Sequence, residues 1–413
     1  MDAEQILVGI AIIVGLAVAC QILAPVLRTP ALVLLLPAGF IAGIVFPSAN
    51  ASEILGEAFS PLVNIAVGLI LFHGGLELVE ERVDRPDKKI IRRLIFIGAL
   101  VTCASASWAA YAFLGLPPEL AVLLGAIVIV SGPTVVAPLL AFAKPQMRIR
   151  RILAWEGTLI DPVGALVAVI VFQGVQLTSE PTVFDAVNRF VMSILIGVVG
   201  GLIGLAMIWL GMLLAGPSKV LGTQVLLGAV IATTALTDAV SDDSGLVAAV
   251  IMGMVVPLID RERLAAVKPF FDTVVSFAIG VLFISISALV SPSSLQGLVL
   301  PTLGIVALLV LVVRPVTAYV LTARSTLTSR ERLYIGWMAP RGIVAAATAS
   351  SFSATLIAAN VPGAEKLLPA TFVIIAGTVL FYSATAVPMA KLLKVRDVEE
   401  VAEPADLPPL TLP

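Results

Sequence analysis

Residues 155–162 read Trp155-Glu156-Gly157-Thr158-Leu159-Ile160-Asp161-Pro162: two carboxylates and a proline inside an apolar run that extends from 152 to 175. A charge at the centre of a bilayer costs several kcal/mol, so an acidic residue there is a functional hypothesis by default. The run is one of many. Of the 413 residues 59% are hydrophobic and only 13% charged, about half the charge of a soluble domain. The chain therefore reads as an all-α, multi-pass integral membrane protein whose first partner is the lipid bilayer. At roughly 20 apolar residues per crossing, about thirteen spans fit. They lie near 6–27, 30–47, 61–79, 94–115, 119–142, 152–175, 190–214, 219–238, 243–259, 270–290, 297–323, 333–359 and 367–392. The first lacks a basic leader and reads as a retained helix.

Orientation follows from Lys and Arg in the connections. Of 25 such residues, all but Arg189, Lys366, Arg314 and Arg341 fall in alternate connections or at Arg28, Lys391, Lys394 and Arg396. That side is cytoplasmic, which places the N-terminus outside and the C-terminus inside. The stretch after Arg396 is acidic and proline-rich, so 397–413 reads as a flexible cytoplasmic tail. Other classes fall away. A net charge of −2 gives nucleic acid no basic footprint. Cys20 and Cys103 lie in apolar runs and His73 is the one histidine, so a disulfide framework and a multi-histidine metal site are both excluded. No nucleotide motif is present, and no cofactor is expected.

Glu156 and Asp161 stand about 140° apart around a helix, so they face different neighbours. Glu156, nearer the cytoplasmic end, reads as a structural ion-pair member; Asp161, near mid-membrane, reads as the working group. Pro162 removes a donor and frees the Thr158 carbonyl. A carboxylate beside a free carbonyl suits a monovalent cation or a proton. Span five contains Ser131-Gly132-Pro133-Thr134-Val135-Val136-Ala137-Pro138. Glycine and two prolines at membrane depth break a helix, and a broken helix survives there only inside protein or along a cavity. The plainer alternative is a packing kink. Span twelve breaks at Ala339-Pro340-Arg341-Gly342. Two interrupted helices at corresponding places in two halves signal an inverted repeat with its site at the crossing. Arg341 is placed to counter the negative ends of half-helix dipoles. Arg314 cannot lose its proton; buried, it needs an anion, and Glu156 is the best candidate. His73 reads first as a packed, hydrogen-bonded histidine and second as a pH sensor. Asp242-Asp243-Ser244-Gly245 reads first as a solvated helix start and second as an ion funnel, and Asp272 as a residue at the membrane edge.

With these residues in place, the chain resembles the monovalent cation–proton antiporters of the NhaP and NHE branch, over nearly its whole length. Glu156 to Asp161 matches the family's Glu-x-x-x-Asn-Asp, which puts the ion-binding aspartate at Asp161. The family's Glu–Arg structural pair falls on Glu156 and Arg314, its crossing-helix Arg-Gly on Arg341-Gly342, and a Ser-Gly on Ser244-Gly245. The Leu-Phe-x-x-Gly-Leu stretch matches around His73. Two positions depart: Ile160 stands for the asparagine, and Ser131-Gly132-Pro133 for a Thr-Asp-Pro.

The resemblance implies a transmembrane domain over 1–396 in a bacterial inner membrane. Core helices near 94–175 and 297–392 would move, elevator fashion, against panel helices near 6–79 and 219–290 that form a homodimer, with a linker helix near 190–214. It implies a secondary antiporter and not an enzyme, exchanging Na+ or K+ for protons at Asp161 with oxygens of Thr134, Ser131 and Thr158, beside Gly132 and Pro133. Electrogenic relatives carry a second aspartate where Ile160 stands and a lysine where Arg314 stands, so one-for-one, electroneutral exchange is expected. Two rivals are a sodium-coupled organic-anion symporter, which needs anion-binding groups and usually two sodium sites, and a proton-conducting subunit of a respiratory complex, which needs intramembrane lysines.

Overall fold

A computed structural model describes residues 3–27, 29–80, 83–176, 183–216, 218–259 and 261–397. Arg28, Arg82 and the tail from 398 lie outside the described residues. The first half of the chain forms α1 (Ala3–Val26), α2 (Leu32–Val45), α3 (Ala51–Leu55), α4 (Phe59–Glu80), α5 (Arg85–Arg93), α6 (Ala99–Leu114), α7 (Pro118–Ile127), α8 (Pro133–Ala143) and α9 (Met147–Gln176). The second half forms α10 (Val183–Ala215), α11 (Lys219–Val240), α12 (Ser244–Ile259), α13 (Arg261–Ala288), α14 (Val299–Leu308), α15 (Arg314–Leu321), α16 (Ser329–Trp337), α17 (Ile343–Ala358) and α18 (Leu367–Leu392). Among the described residues the protein is all-helical, apart from one isolated antiparallel bridge between Pro145 and Arg396.

Among the described residues nine helical stretches are long and apolar enough to cross a membrane, and five shorter apolar helices accompany them. Apolar side chains such as Leu100, Trp108, Met192, Leu202, Leu214 and Leu300 are exposed, a greasy periphery that lipid, and not water, would cover. Local signals set the helix starts. Ser218 accepts from the Leu221 N–H at the head of α11, and Thr328 with Glu331 forms a capping box on α16, each satisfying donors the first turn leaves orphaned.

The same succession of elements occurs twice. A π-helical segment at 94–98 joins α5 to α6, an interruption at 128–132 separates α7 from α8, and the long α9 follows. Later a π-helical segment at 309–313 joins α14 to α15, an interruption at 338–342 separates α16 from α17, and the long α18 follows. Elsewhere α4 packs on α12, α12 on α10, and α13 on α2. The segment after α18 returns to the end of α8. The Gln146 N–H donates to the Val395 carbonyl at 2.7 Å, the Asp397 N–H to that of Lys144 at 2.9 Å, and Arg396 Nε to that of Ala143 at 3.1 Å. The last two of these bonds satisfy carbonyls that the end of α8 leaves free.

Candidate functional site

The two interruptions meet. Pro133 opens α8 at a position whose N–H would have no helical partner, and the preceding backbone is extended at Gly132. A β-carbon on Gly342 would stand 2.9 Å from the Gly132 nitrogen, and one on Gly132 would overlap the carboxylate of Asp161. Only glycine fits at either position, so the close approach is written into the sequence. Ser131 is buried in the first interruption, and its backbone carbonyl closes on Gly157 of α9.

Each interrupted helix ends on an arginine. Arg341 Nη1 donates to the Ile129 carbonyl at 2.9 Å, just beyond α7, and the Arg341 N–H donates to Thr378 Oγ1 at 3.2 Å. Arg314 Nη2 donates to the carbonyls of Ile335 and Met338 at the end of α16, both at 3.2 Å. A guanidinium at a helix C-terminus offsets the negative end of the dipole and fills orphan carbonyls. Arg314 also forks onto Glu156, Nη1 to Oε1 at 2.5 Å and Nη2 to Oε2 at 2.8 Å. The bidentate fork is a geometry lysine cannot make. The π-helical segment 309–313 directly precedes Arg314, and such a widened turn resets which face the following residues present.

Asp161 is fully buried beside Gly132. Neither of its oxygens has a hydrogen-bond partner, nor has Thr134 Oγ1, which lies against Gly342. An ionised carboxylate is not left so without a compensating charge or proton. These oxygens are hard donors suited to a monovalent cation or, at Asp161, to a proton. Thr158, one turn before Asp161 on α9, lines a cavity of about 380 Å3 with Pro133, Glu77, Arg150 and Lys268. The cavity thus runs from Glu77, Arg150 and Lys268, on α4, α9 and α13, to Pro133 at the first interruption. Among the described residues no three His, Cys, Asp or Glu side chains gather to hold a metal ion.

The remaining sequence candidates lie apart. His73 Nε2 is 2.6 Å from Asp272 Oδ1, joining α4 to α13. Ser244 Oγ donates to the carbonyls of Thr237 and Ser241, and a β-carbon on Gly245 would overlap the Thr234 carbonyl, so this pair seats α12 on α11. The acidic start of α12 differs from the solvated helix start that the sequence suggests. Asp242 is exposed, but Asp243 is only 8% exposed and lines a small cavity between helices. The turn between α11 and α12 holds Asp243 at φ 58°, a left-handed conformation that aspartate tolerates better than most residues. Another contact has no counterpart in the sequence reading. Arg148 Nη2 lies 2.6 Å from Asp87 Oδ1 and donates to Thr326 Oγ1 at 2.8 Å, tying α5 and the turn before α16 to the start of α9. Its only sequence signal is an acid within a basic run.

Residues 9–392 match the model of the transmembrane sodium/hydrogen exchanger family. The chain belongs to that family. Its members are membrane transporters and not enzymes. The chain is 25% identical over 375 residues to the K(+)/H(+) antiporter NhaP of Alkalimonas amylolytica, covering 89% of this chain and 62% of that protein. It is 24% identical over 426 residues to the K(+)/H(+) antiporter NhaP2 of Shewanella oneidensis, covering all of this chain and 70% of that one. The chain thus spans under two thirds of the first of these relatives. Its fold matches the sodium proton antiporter MjNhaP1 of Methanocaldococcus jannaschii with a TM-score of 0.78, at 21% identity, covering 94% of this chain and 99% of that one.

Gly132→Ala should impair this site without dismantling the fold. The added methyl must push Asp161 aside, an overpacking cost of about 1–3 kcal/mol. A raised half-saturating cation concentration in exchange assays, with near-native thermal stability in detergent, is the expected result. Unchanged exchange would mean that Asp161 does not need its present position.

Proposed function

We propose that this exchanger is a secondary antiporter that trades Na+ or K+ for protons, one for one, at Asp161. The observation that carries the reading is the pair of partnerless Asp161 oxygens at the crossing of two interrupted helices. Deprotonated, Asp161 binds the cation with oxygens from Thr134, Ser131, Thr158 and water. Protonated, it releases the cation. The two ions compete for one carboxylate, and only a neutralised site crosses the bilayer. The driving energy is an ion gradient. Relatives named for K+ and a structural match named for Na+ support both cations as substrates.

About thirteen crossings complete the proposal, with the N-terminus outside and the C-terminus inside, in a bacterial inner membrane. The doubled succession of π-segment, interruption and long helix supports an inverted repeat. The moving core comprises residues near 94–175 and 297–392 and shifts against the dimer-forming panel near 6–79 and 219–290, with 190–214 as the linker. Arg314 and Arg341 fix the half-helix ends through this motion, and Glu156 neutralises Arg314. His73, bound to Asp272 at 2.6 Å, ties α4 to α13 within this panel. A sodium-coupled organic-anion symporter fits less well, because Arg314 is held by Glu156 and by carbonyls, and Arg341 Nη1 by the Ile129 carbonyl.

Reconstitution with an internal pH dye tests the proposal. Adding Li+, Na+, K+ and Rb+ in turn should release protons with one or two of them, and no response to any would refute it. Stoichiometry is a separate matter. Ile160 cannot titrate, Gly132 brings no second carboxylate, and Arg314 keeps its charge. The end point of exchange should therefore ignore an imposed membrane potential. Moving a net charge would add about 2.3 kcal/mol per 100 mV. An end point that tracks voltage in valinomycin-clamped vesicles would require a second titrating group.

A further inference from the structure

We propose that Asp243, with the hydroxyls of Ser60 and Ser351, forms a second cation site, a staging point on the far side of Asp161 from the cavity lined by Arg150 and Lys268. The inference rests on the antiporter reading above.

The cavity at Asp243 measures about 40 Å3, room for roughly three waters at 10–15 Å3 each. That volume suits a cation that has shed part of its hydration shell. Its walls come from four helices: Ser60 and Asn64 from α4, Ala165 from α9, Leu246 from α12, and Thr348 and Ser351 from α17. Ala165 lies one turn beyond Asp161 on α9, about 6 Å along the axis. The cavity is therefore next to the central site and not a remote surface feature. Thr158, which lines the larger cavity, precedes Asp161 by a similar step in the other direction. The two cavities approach Asp161 from opposite sides.

Two acids near this cavity are treated differently. Asp238 accepts from the Gly245 N–H at 2.7 Å and from the Asn64 side chain. Asp243 is 8% exposed, and its carboxylate receives no hydrogen bond and no counter-cation among the described residues. Its nearest charges, Asp238 and Asp242, are acidic as well. A buried carboxylate among like charges is stabilised by a cation or must take up a proton. Hydroxyl oxygens complete a ligand set for a hard monovalent ion. Ser60 Oγ and Ser351 Oγ are 3.4 Å apart across the cavity. One belongs to the proposed panel and the other to the proposed core, so the site sits on the seam that must part for a cation to reach Asp161 from this side.

Exchange in proteoliposomes sorted by orientation, with Na+ and K+ added to one face at a time, tests the site. Asp243→Asn keeps the size of the side chain and its tolerance of a left-handed backbone. It should raise the half-saturating concentration at the Asp243 face by about tenfold, the low end of what one unit charge within a few ångströms is worth. The opposite face and the maximal rate should not change. No change at either face, or an equal change at both, would overturn the proposal. Thallium(I) supplies a second measurement that does not depend on any Asp243 variant folding. In crystals of the Asp161→Asn protein soaked in thallium, anomalous density should remain within bonding distance of Asp243; its absence from that protein and the wild type would also overturn the site. An Asp161→Asn protein that still exchanges would instead refute the central reading, so the two failures are distinguishable.

Discussion

The Asp161→Asn protein is expected to insert and fold as the wild type does, yet to release no protons when Na+ or K+ is added. The substitution is isosteric and removes one negative charge from a fully buried position. At the effective dielectric of a protein interior, a unit charge about 4 Å from a cation is worth about 4 kcal/mol, roughly a thousandfold in affinity. The same change removes the one carboxylate of the crossing that lacks a partner among the described residues, since Glu156 is held by Arg314. Cation affinity at the central site and proton exchange should therefore vanish together. Proteoliposome dye assays and size-exclusion profiles in detergent check the two halves of this expectation. Exchange at the wild-type rate from a well-folded Asp161→Asn protein would move the site elsewhere.

The second large effect is on stability. Arg314 joins Glu156, the end of α16 and, through its place after the π-helical segment, the course of α15. Removing one partner of a buried ion pair strands the other charge and costs about 3–5 kcal/mol. Arg314→Gln strands Glu156 and also frees the carbonyls of Ile335 and Met338, so it should be the worse of the two single changes. Glu156→Gln strands Arg314, which keeps those carbonyls. The double variant should lose less than the sum of the singles, because no uncompensated charge remains. Thermal unfolding in detergent measures all three. Strictly additive losses would mean that the contact carries no coupling energy.

Family, helical class and the two interruptions were legible in the sequence for a common reason. Lipid offers nothing to a charge or to a free backbone group, so Glu156, Asp161, Arg314, Arg341 and the Gly-Pro breaks stand out against an apolar background. The contact between Glu156 and Arg314 was legible because a permanently charged buried guanidinium must find an anion, and acids near mid-chain are few. What depends on which helix face meets which neighbour was not legible. Asp243 looked like one of two solvated acids at a helix start, and only the turn between α11 and α12 distinguishes it from Asp242. The bond between His73 and Asp272 joins residues 199 apart in the chain, and nothing local announces it. The π-helical segments leave no residue signature at all. Gly132 was read as a helix breaker, whereas its sharper constraint is the carboxylate of Asp161 lying where its side chain would be.

One carboxylate serving two ions in turn makes a direct demand on purified protein in detergent. Titrating weakly buffered protein with K+ or Na+ while recording pH, alongside calorimetry for the cation bound at the central site, gives the protons released per cation bound there. A value near one, which disappears in Asp161→Asn, is the expected result. Saturable cation binding at the central site with no proton release, or with release that persists in Asp161→Asn, would contradict exchange at Asp161.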